Sequence, residues 1–307
     1  MKAYIPSALR PVVTGARARA EYVPTHSLPS CAGGILIVAS SSDPTSAYFA
    51  AYLRRRRAPF ALLAMEHCVW DHGSLRSLVR DARGIYFRAP GPENWGTANL
   101  LAAMRSIVMS HPNVIAPSRQ STNWSKPLQM ARIASLYSNA HVGAVNTFVA
   151  SQGIPRTPEF VVKSMSNYRS VAVASDHELL REVDESGSTY PVQYQEFLDG
   201  SNVRVHQLRD RAFACRITAN VLDYRYAKTV TFSPFDLPTE VAEWCRAATR
   251  GEGLRFAGID LLVKKGAYSC LEINPMPGYE GFERHTYVAG NPISDALYEE
   301  LLNPDAG

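Results

Sequence analysis

The strongest constraint in this sequence is the stretch GIDLLVKKGAYSCLEINPMPGYEGFE, Gly258 to Glu283. An apolar run from Ala257 to Val263 carries one acid, Asp260, and a second run from Tyr268 to Asn274 carries Glu272 and Asn274. Lys-Lys-Gly-Ala between them is a turn signal, so the pattern predicts a β-hairpin turning near Gly266. Residues two apart on a strand share a face, which aims Glu272 and Asn274 the same way. A short turn sets Asp260 opposite Glu272 or one position off. Three hard oxygen ligands on one half-buried face repel one another unless a cation lies between them. Mg²⁺ suits such a set, because it takes carboxylate and amide oxygens at about 2.0–2.1 Å and shares its remaining positions with phosphate. For the isolated triplet a plainer reading stands beside this one: strand-end acids, solvated or paired with arginine. Asn274-Pro275-Met276-Pro277-Gly278 then forces a rigid turn directly after the second strand.

This segment resembles the C-terminal signature of the ATP-grasp superfamily, and within it the RimK-like carboxylate–amine ligases. Their metal strands and following loop read G-x-D-(apolar), then L-E-(apolar)-N-x-x-P-G, then an acidic, aromatic segment. Gly258, Asp260, Leu271, Glu272, Asn274, Pro277 and Gly278 fall on that pattern. The resemblance runs from about Asn123 to Glu283 and is strongest at its C-terminal end. It implies an α/β (α+β) chain with the ATP-grasp fold and an N-terminal parallel-sheet pre-domain. It also implies ATP with Mg²⁺, two ions with Mn²⁺ as a possible substitute, held by Asp260, Glu272 and Asn274.

Bulk properties agree with a soluble globular protein. Hydrophobic residues make up 46 % and charged residues 20 % of 307, and no apolar stretch is long enough to span a membrane. Residues 1–32 lack an uninterrupted apolar segment of the secretory kind. Five widely spaced cysteines without a C-x-x-C give neither a disulfide framework nor a zinc site, so the cytoplasm is the expected location. A net charge of +4 is too mild to argue for nucleic acid. Only six of the 32 basic residues are lysines, which makes each lysine worth a question. The Arg54–Arg57 run reads as a helix C-terminus, where cations complement the macrodipole.

Along the chain, residues 1–32 read as an irregular arm and 33–120 as a small α/β domain. Ile35–Ala39 and Phe60–Ala64 are its first strands, Asp43 is a helix cap, and helices are expected over Thr45–Arg57 and Thr97–Ser110. Residues 121–192 are expected to form the central subdomain and 193–307 the C-terminal one. A helix begins near Pro127, and a short one covers Leu179–Val183. Strands are expected at Thr147–Ala150, Glu159–Lys163, Gln193–Leu198, Val203–Leu208 and Arg211–Ile217, with a helix at Glu240–Gly251.

The remaining candidates take their roles from the resemblance. Lys163 ends an apolar strand and, alone, reads as a solvent-facing lysine; the family carries V-V-K here on the nucleotide phosphates. The glycine-rich flap usual after it is replaced by Ser164 to Ser170, whose Ser164 and Arg169 are phosphate-binding candidates. Lys126 precedes a helix N-terminus; solvation and nucleotide binding are equally compatible with its position. Gln195-Glu196-Phe197-Leu198 resembles the linker strand that binds the adenine edge, with Asn202 near the ribose. Arg204 and Arg216 match the arginines that stabilise an acyl-phosphate, although surface arginines are common on strands and Asn202 replaces the customary Asp.

No phosphate loop, dinucleotide fingerprint or nucleophile elbow is present. The resemblance implies an ATP-dependent ligase that joins a carboxylate to an amine through an acyl-phosphate, first on an amino acid or small peptide. A ribosomal-peptide-modifying or ring-closing ligase is the alternative, and a nucleotide-binding protein without ligase chemistry the reading from another class. Partners are small-molecule carboxylate and amine substrates, with a homodimer suggested by the family alone.

Overall fold

The computed structural model describes residues 23–24, 31–65, 68–69, 72–88, 95–150, 159–164, 172–174, 192–220, 224, 227–287 and 290–303. Strands and helices alternate first: β1 (Ile35–Ala39), α1 (Pro44–Arg55), β2 (Phe60–Ala64), α2 (His72–Asp81), β3 (Gly84–Arg88), α3 (Trp95–Val108) and β4 (Val114–Ile115). The four strands pair in parallel in the order β2-β1-β3-β4. All five residues of β1 are buried, which is why it reads as an unbroken apolar run rather than an alternation. Asp43 caps α1 as expected, accepting from the Ser46 N–H at 2.8 Å, with Pro44 in the first turn. Arg54 and Arg55 occupy the last turn. From the N-terminal arm, Val23–Pro24 pairs in parallel with Cys68–Val69.

Two mainly antiparallel sheets follow. The helix near Pro127 is α4 (Lys126–Arg132), which continues into a π-turn at Ile133–Tyr137. After β5 (Val142–Ala144) come β6 (Thr147–Ala150), β7 (Phe160–Ser164), β8 (Ala172–Ala174) and β9 (Val192–Glu196), paired β8-β7-β9-β6. The last sheet holds β10 (Ser201–Leu208), β11 (Arg211–Ala219), β12 (Val230–Pro234), β13 (Phe256–Lys264) and β14 (Ala267–Asn274). Its order is β12-β11-β10-β13-β14-β5, with β5 joining in parallel. Sheet membership thus departs from the subdomain limits drawn at 121, 192 and 193. β5 extends the C-terminal sheet, and β9 is central to the smaller one because Tyr194 packs between Phe148 and Phe160. The helix expected at Leu179–Val183 lies outside the described residues.

Helix α5 (Thr239–Gly251) buries Val241, Trp244, Cys245 and Ala248 at helical spacing against Val203, Val205, Ile259 and Leu261. That core occupies one face of the large sheet; the opposite face carries Arg204, His206 and Asp260 and, toward the first core, Leu208 and Phe256. Helices α6 (Glu280–Thr286) and α7 (Pro292–Leu302) close the chain. Ile293, Leu297 and Leu301 of α7 join Ile35, Phe49 and Leu53 in one core, so the end of the chain seals the first sheet. Gly84 is required there, since a Cβ would collide with the Leu301 carbonyl. Among the described residues no helix is long and apolar enough to cross a membrane, and Cys31, Cys215, Cys245 and Cys270 are free and buried.

Candidate active site

The hairpin turns at Lys265 and Gly266, both with positive φ (49° and 83°), the conformation of a two-residue type I′ turn. From that turn the register pairs Lys264 with Ala267 and continues to Leu261 with Cys270. It then shifts by one, so that Asp260 faces Glu272 and Gly258 faces Asn274. Leu271 is the extra residue of this β-bulge. Were Leu271 kept in the ladder instead of looped out, Glu272 would stand opposite Ile259 and point to the other side of the sheet from Asp260. The bulge is what gathers Asp260, Glu272 and Asn274 on one face.

Each acid meets a cation there. Arg204, on β10 directly opposite Asp260, donates from Nη1 to Asp260 Oδ1 at 2.7 Å. Lys126 Nζ donates to Glu272 Oε1, and Asn123 Nδ2 donates to the same oxygen at 2.9 Å. Burial alone would raise the Glu272 pKa, but Lys126, the Asn123 bond and the more distant charge of Lys163 hold it down at about 2. The positive charge expected between the acids is thus supplied in part by the protein. Asn274 Oδ1 accepts from the Met276 N–H at 2.9 Å, fixing the turn that follows and leaving one lone pair. Among the described residues no three acidic, histidine or cysteine groups gather as a metal cage. Two carboxylates and an amide oxygen on one face nevertheless fit Mg²⁺, which keeps its other positions for water and substrate phosphate.

Arg204 is the least satisfied polar group in the cluster. It is 5 % exposed, yet among the described residues Asp260 is its one hydrogen-bond partner, and its Nε has none. The Asp260 charge offsets the cost of burial and raises its pKa. Phe282 lies under the guanidinium at 5.6 Å, and a Cβ on Gly258 would collide with Nη2. Gly258 thus clears the space that the guanidinium occupies. A buried cation with unused donors is a ready anion site.

Arg216 is not brought to this cluster. On β11 it pairs with Val203, one position from Arg204, so it projects to the opposite face. There it is exposed and lies over the Phe235 ring at 5.1 Å. The odd offset of the β10–β11 register separates two arginines expected to act together.

Lys163 donates to Gln195 Oε1 at 2.5 Å. Gln195 itself is buried, with Nε2 against Met130 Sδ at 3.3 Å. The linker is partly committed to the fold: the Glu196 N–H bonds Asn146 O at 2.9 Å and the Phe197 N–H bonds Glu159 O at 2.6 Å. The Leu198 N–H has no backbone partner among the described residues, and Phe197 is 47 % exposed. Asn202 is half-buried on the Arg204 side of β10, two residues away. Ser164 closes β7, while Arg169 and most of the expected flap lie outside the described residues.

Several supports were not visible in the sequence because they are long-range. Gln129 bonds both backbone groups of Ile273, at 2.8 and 3.0 Å, where β14 has outrun β5. Glu252, fully buried at the end of α5, accepts from the Thr122 N–H at 2.6 Å and so holds the loop leading to Asn123 and Lys126. Arg88 donates to Pro277 O at 2.9 Å and His206 Nε2 lies 3.1 Å from Gly278 O, pinning the Pro-Gly loop from two sheets. Burial, with the Arg204 charge beside it, pushes His206 well below the usual imidazole pKa.

A parallel sheet, a small antiparallel sheet carrying a lysine, and a larger one carrying paired acids together define the ATP-grasp fold, and this chain has it. Its structure is similar to the ATP-grasp ligase PsnB complexed with minimal precursor, with a TM-score of 0.63 and 23 % identity over 86 % of this chain and 98 % of that one. The same ligase is known with minimal precursor, Mg and ADP. The macrocyclase MdnC of Microcystis aeruginosa MRC, bound with precursor peptide MdnA, gives 0.58 and 18 % over 88 % and 99 %. D-alanine–D-alanine ligase from Bacillus anthracis gives 0.55 and 13 % over 87 % and 93 %. No family model and no curated protein matches the chain.

Proposed function

We propose that this protein is an ATP-dependent carboxylate–amine ligase acting on a peptide. The observation that carries the reading is the cluster on one sheet face: Asp260 opposite Glu272, with Asn274, Lys126 and the under-bonded Arg204 around them. Asp260, Glu272 and Asn274 would hold Mg²⁺, which supplies charge neutralisation on the phosphates of ATP. Lys126 and Lys163 would draw the phosphates in, and the Leu198 N–H and Glu196 carbonyl would take the adenine edge. The donors left on Arg204 would hold the acyl-phosphate formed when a substrate carboxylate accepts the γ-phosphoryl group. An amine then displaces phosphate, leaving an amide. Positioning and charge carry catalysis of this kind.

The sequence favoured an amino acid or small peptide. That PsnB and MdnC are known with precursor peptides supports the peptide-modifying alternative. The test is ADP release screened against amino-acid and peptide pools, with mass detection of products. ADP formation that needs Mg²⁺, and a product lighter than its substrates by one water, is the expected result. Nucleotide binding without substrate-stimulated ADP would overturn the ligase and leave a nucleotide-binding protein.

A further inference from the structure

In the first sheet β2 lies on one side of β1 and β3–β4 on the other, so the winding reverses between β1 and β3. Open α/β sheets take their ligands at the carboxyl ends of the strands flanking such a reversal. Arg88 ends β3 there, and Asp43 and Thr45 follow β1. Pro277 to Glu280 enters the same place from the large sheet, since Arg88 bonds Pro277 O and Thr45 bonds Glu280.

At this junction Arg88 holds Asp43 and Arg204 holds Asp260, while Glu280 has no charged partner among the described residues. Arg88 donates to both Asp43 oxygens, at 2.8 and 3.1 Å. Glu280 accepts one hydrogen bond, from Thr45 Oγ1 to Oε2 at 2.6 Å, and among the described residues no cation pairs with it. The arginines of these segments contact other groups: Arg204 meets Asp260, Arg88 meets Asp43, and Arg284 lies over the Tyr48 ring at 4.6 Å. Glu283, one turn along the same helix, shows what a structural carboxylate looks like. It is fully buried, with the Ile293 and Ser294 N–H groups on Oε1 and the Ser294 hydroxyl on Oε2. Glu280 is half-exposed, and the one described donor it has, Thr45, goes to Oε2. An acid in a helix's first turn complements the dipole, but that does not account for a hydroxyl from the other sheet aimed at it.

Glu280 also follows the loop that reaches Arg204. Its Oε2 is 3.6 Å from the position a Gly278 Cβ would take, and the preceding Pro277 packs with Arg204 around Gly258. We propose that Glu280, oriented by Thr45, binds the primary ammonium of the acceptor and takes up one of its protons, so that the free amine attacks the acyl carbon as its bond to phosphate breaks and the second proton leaves with the phosphate; the acceptor is then a primary amine rather than a hydroxyl. This rests on the ligase reading and deepens it. A carboxylate with one neutral donor is matched by an ammonium, whereas a hydroxyl would leave its charge uncompensated.

The test titrates the full chain with butylammonium chloride and, separately, butan-1-ol, at matched ionic strength, following thermal midpoint and heat of binding. Mg-ATP binding is measured in parallel. The expected result is saturable binding of the amine and none of the alcohol. Glu280→Gln should weaken amine binding about tenfold and Thr45→Val about threefold, with Mg-ATP binding retained in both. Amine binding equal to wild type in Glu280→Gln, or a wild type that does not prefer amine to alcohol, overturns the proposal. Should Glu280→Gln fail to fold, Thr45→Val decides, and unchanged amine affinity there overturns it. Loss of Mg-ATP binding in the wild type with amine binding intact would sink the ligase and not the ammonium site.

Discussion

Asp43–Arg88 and Asp260–Arg204 pair the same two side-chain types, each across neighbouring segments of a sheet, and end in opposite conditions. Arg88 makes four bonds: two to Asp43, one to the Tyr86 hydroxyl at 3.0 Å and one to Pro277 O. Among the described residues Arg204 makes one, to an aspartate whose side chain is 26 % exposed. A guanidinium carries five donors, so the count of those used separates a strut from a receptor. The first pair fastens the N-terminal sheet to the loop after β14. The second holds a buried cation ready for an anion from solution.

Three substitutions and one pH series can break or sharpen that contrast. The largest effect is expected from Arg88→Met, which leaves Asp43 buried without its partner. Stability should fall by about 3–5 kcal/mol in denaturant melts. Arg204→Met should instead cost on the order of 10²–10³ in turnover with a much smaller change in midpoint. Equal destabilisation by the two would abolish the distinction. Glu272→Gln removes the carboxylate charge that the bulge sets opposite Asp260. Mg²⁺-dependent nucleotide binding, read by calorimetry, should weaken on the order of a hundredfold while the far-ultraviolet spectrum persists. Retained affinity would remove Glu272 from the metal site.

The smallest effect concerns His206. Its folded pKa lies well below the ordinary value, because burial and Arg204 disfavour the charged ring. The unfolded chain takes up the proton near pH 6.5 and the folded chain only further down. The stability contributed by the neutral ring is therefore complete above about pH 6.5 and declines as pH falls below it. His206→Gln should flatten the fall in thermal midpoint below that pH. A variant whose midpoint tracks wild type throughout would remove His206 from the account.

Much of this arrangement was legible in the chain itself. The hairpin followed from two apolar runs around Lys265-Gly266, and the cap from Asp43 before Pro44-Thr45. Local spacing could not reveal which side of the sheet a residue takes relative to a neighbouring strand. A bulge that loops Leu271 out of the ladder keeps Glu272 opposite Asp260, and a turn of odd offset sends Arg216 away from Arg204. Likewise, Gln129, Glu252 and Arg88 act on residues more than a hundred positions distant, and nothing in their own segments marks them.

The packing of α7 against α1 sets an order of assembly. The Tyr48 hydroxyl and Asn291 Oδ1, 2.9 Å apart, are separated by 243 positions. A ribosome adding roughly 5–20 residues per second delivers the second long after the first, a delay on the order of ten to fifty seconds. Throughout that interval Ile35, Phe49 and Leu53 of the nascent chain lack the apolar cover that Ile293, Leu297 and Leu301 bring.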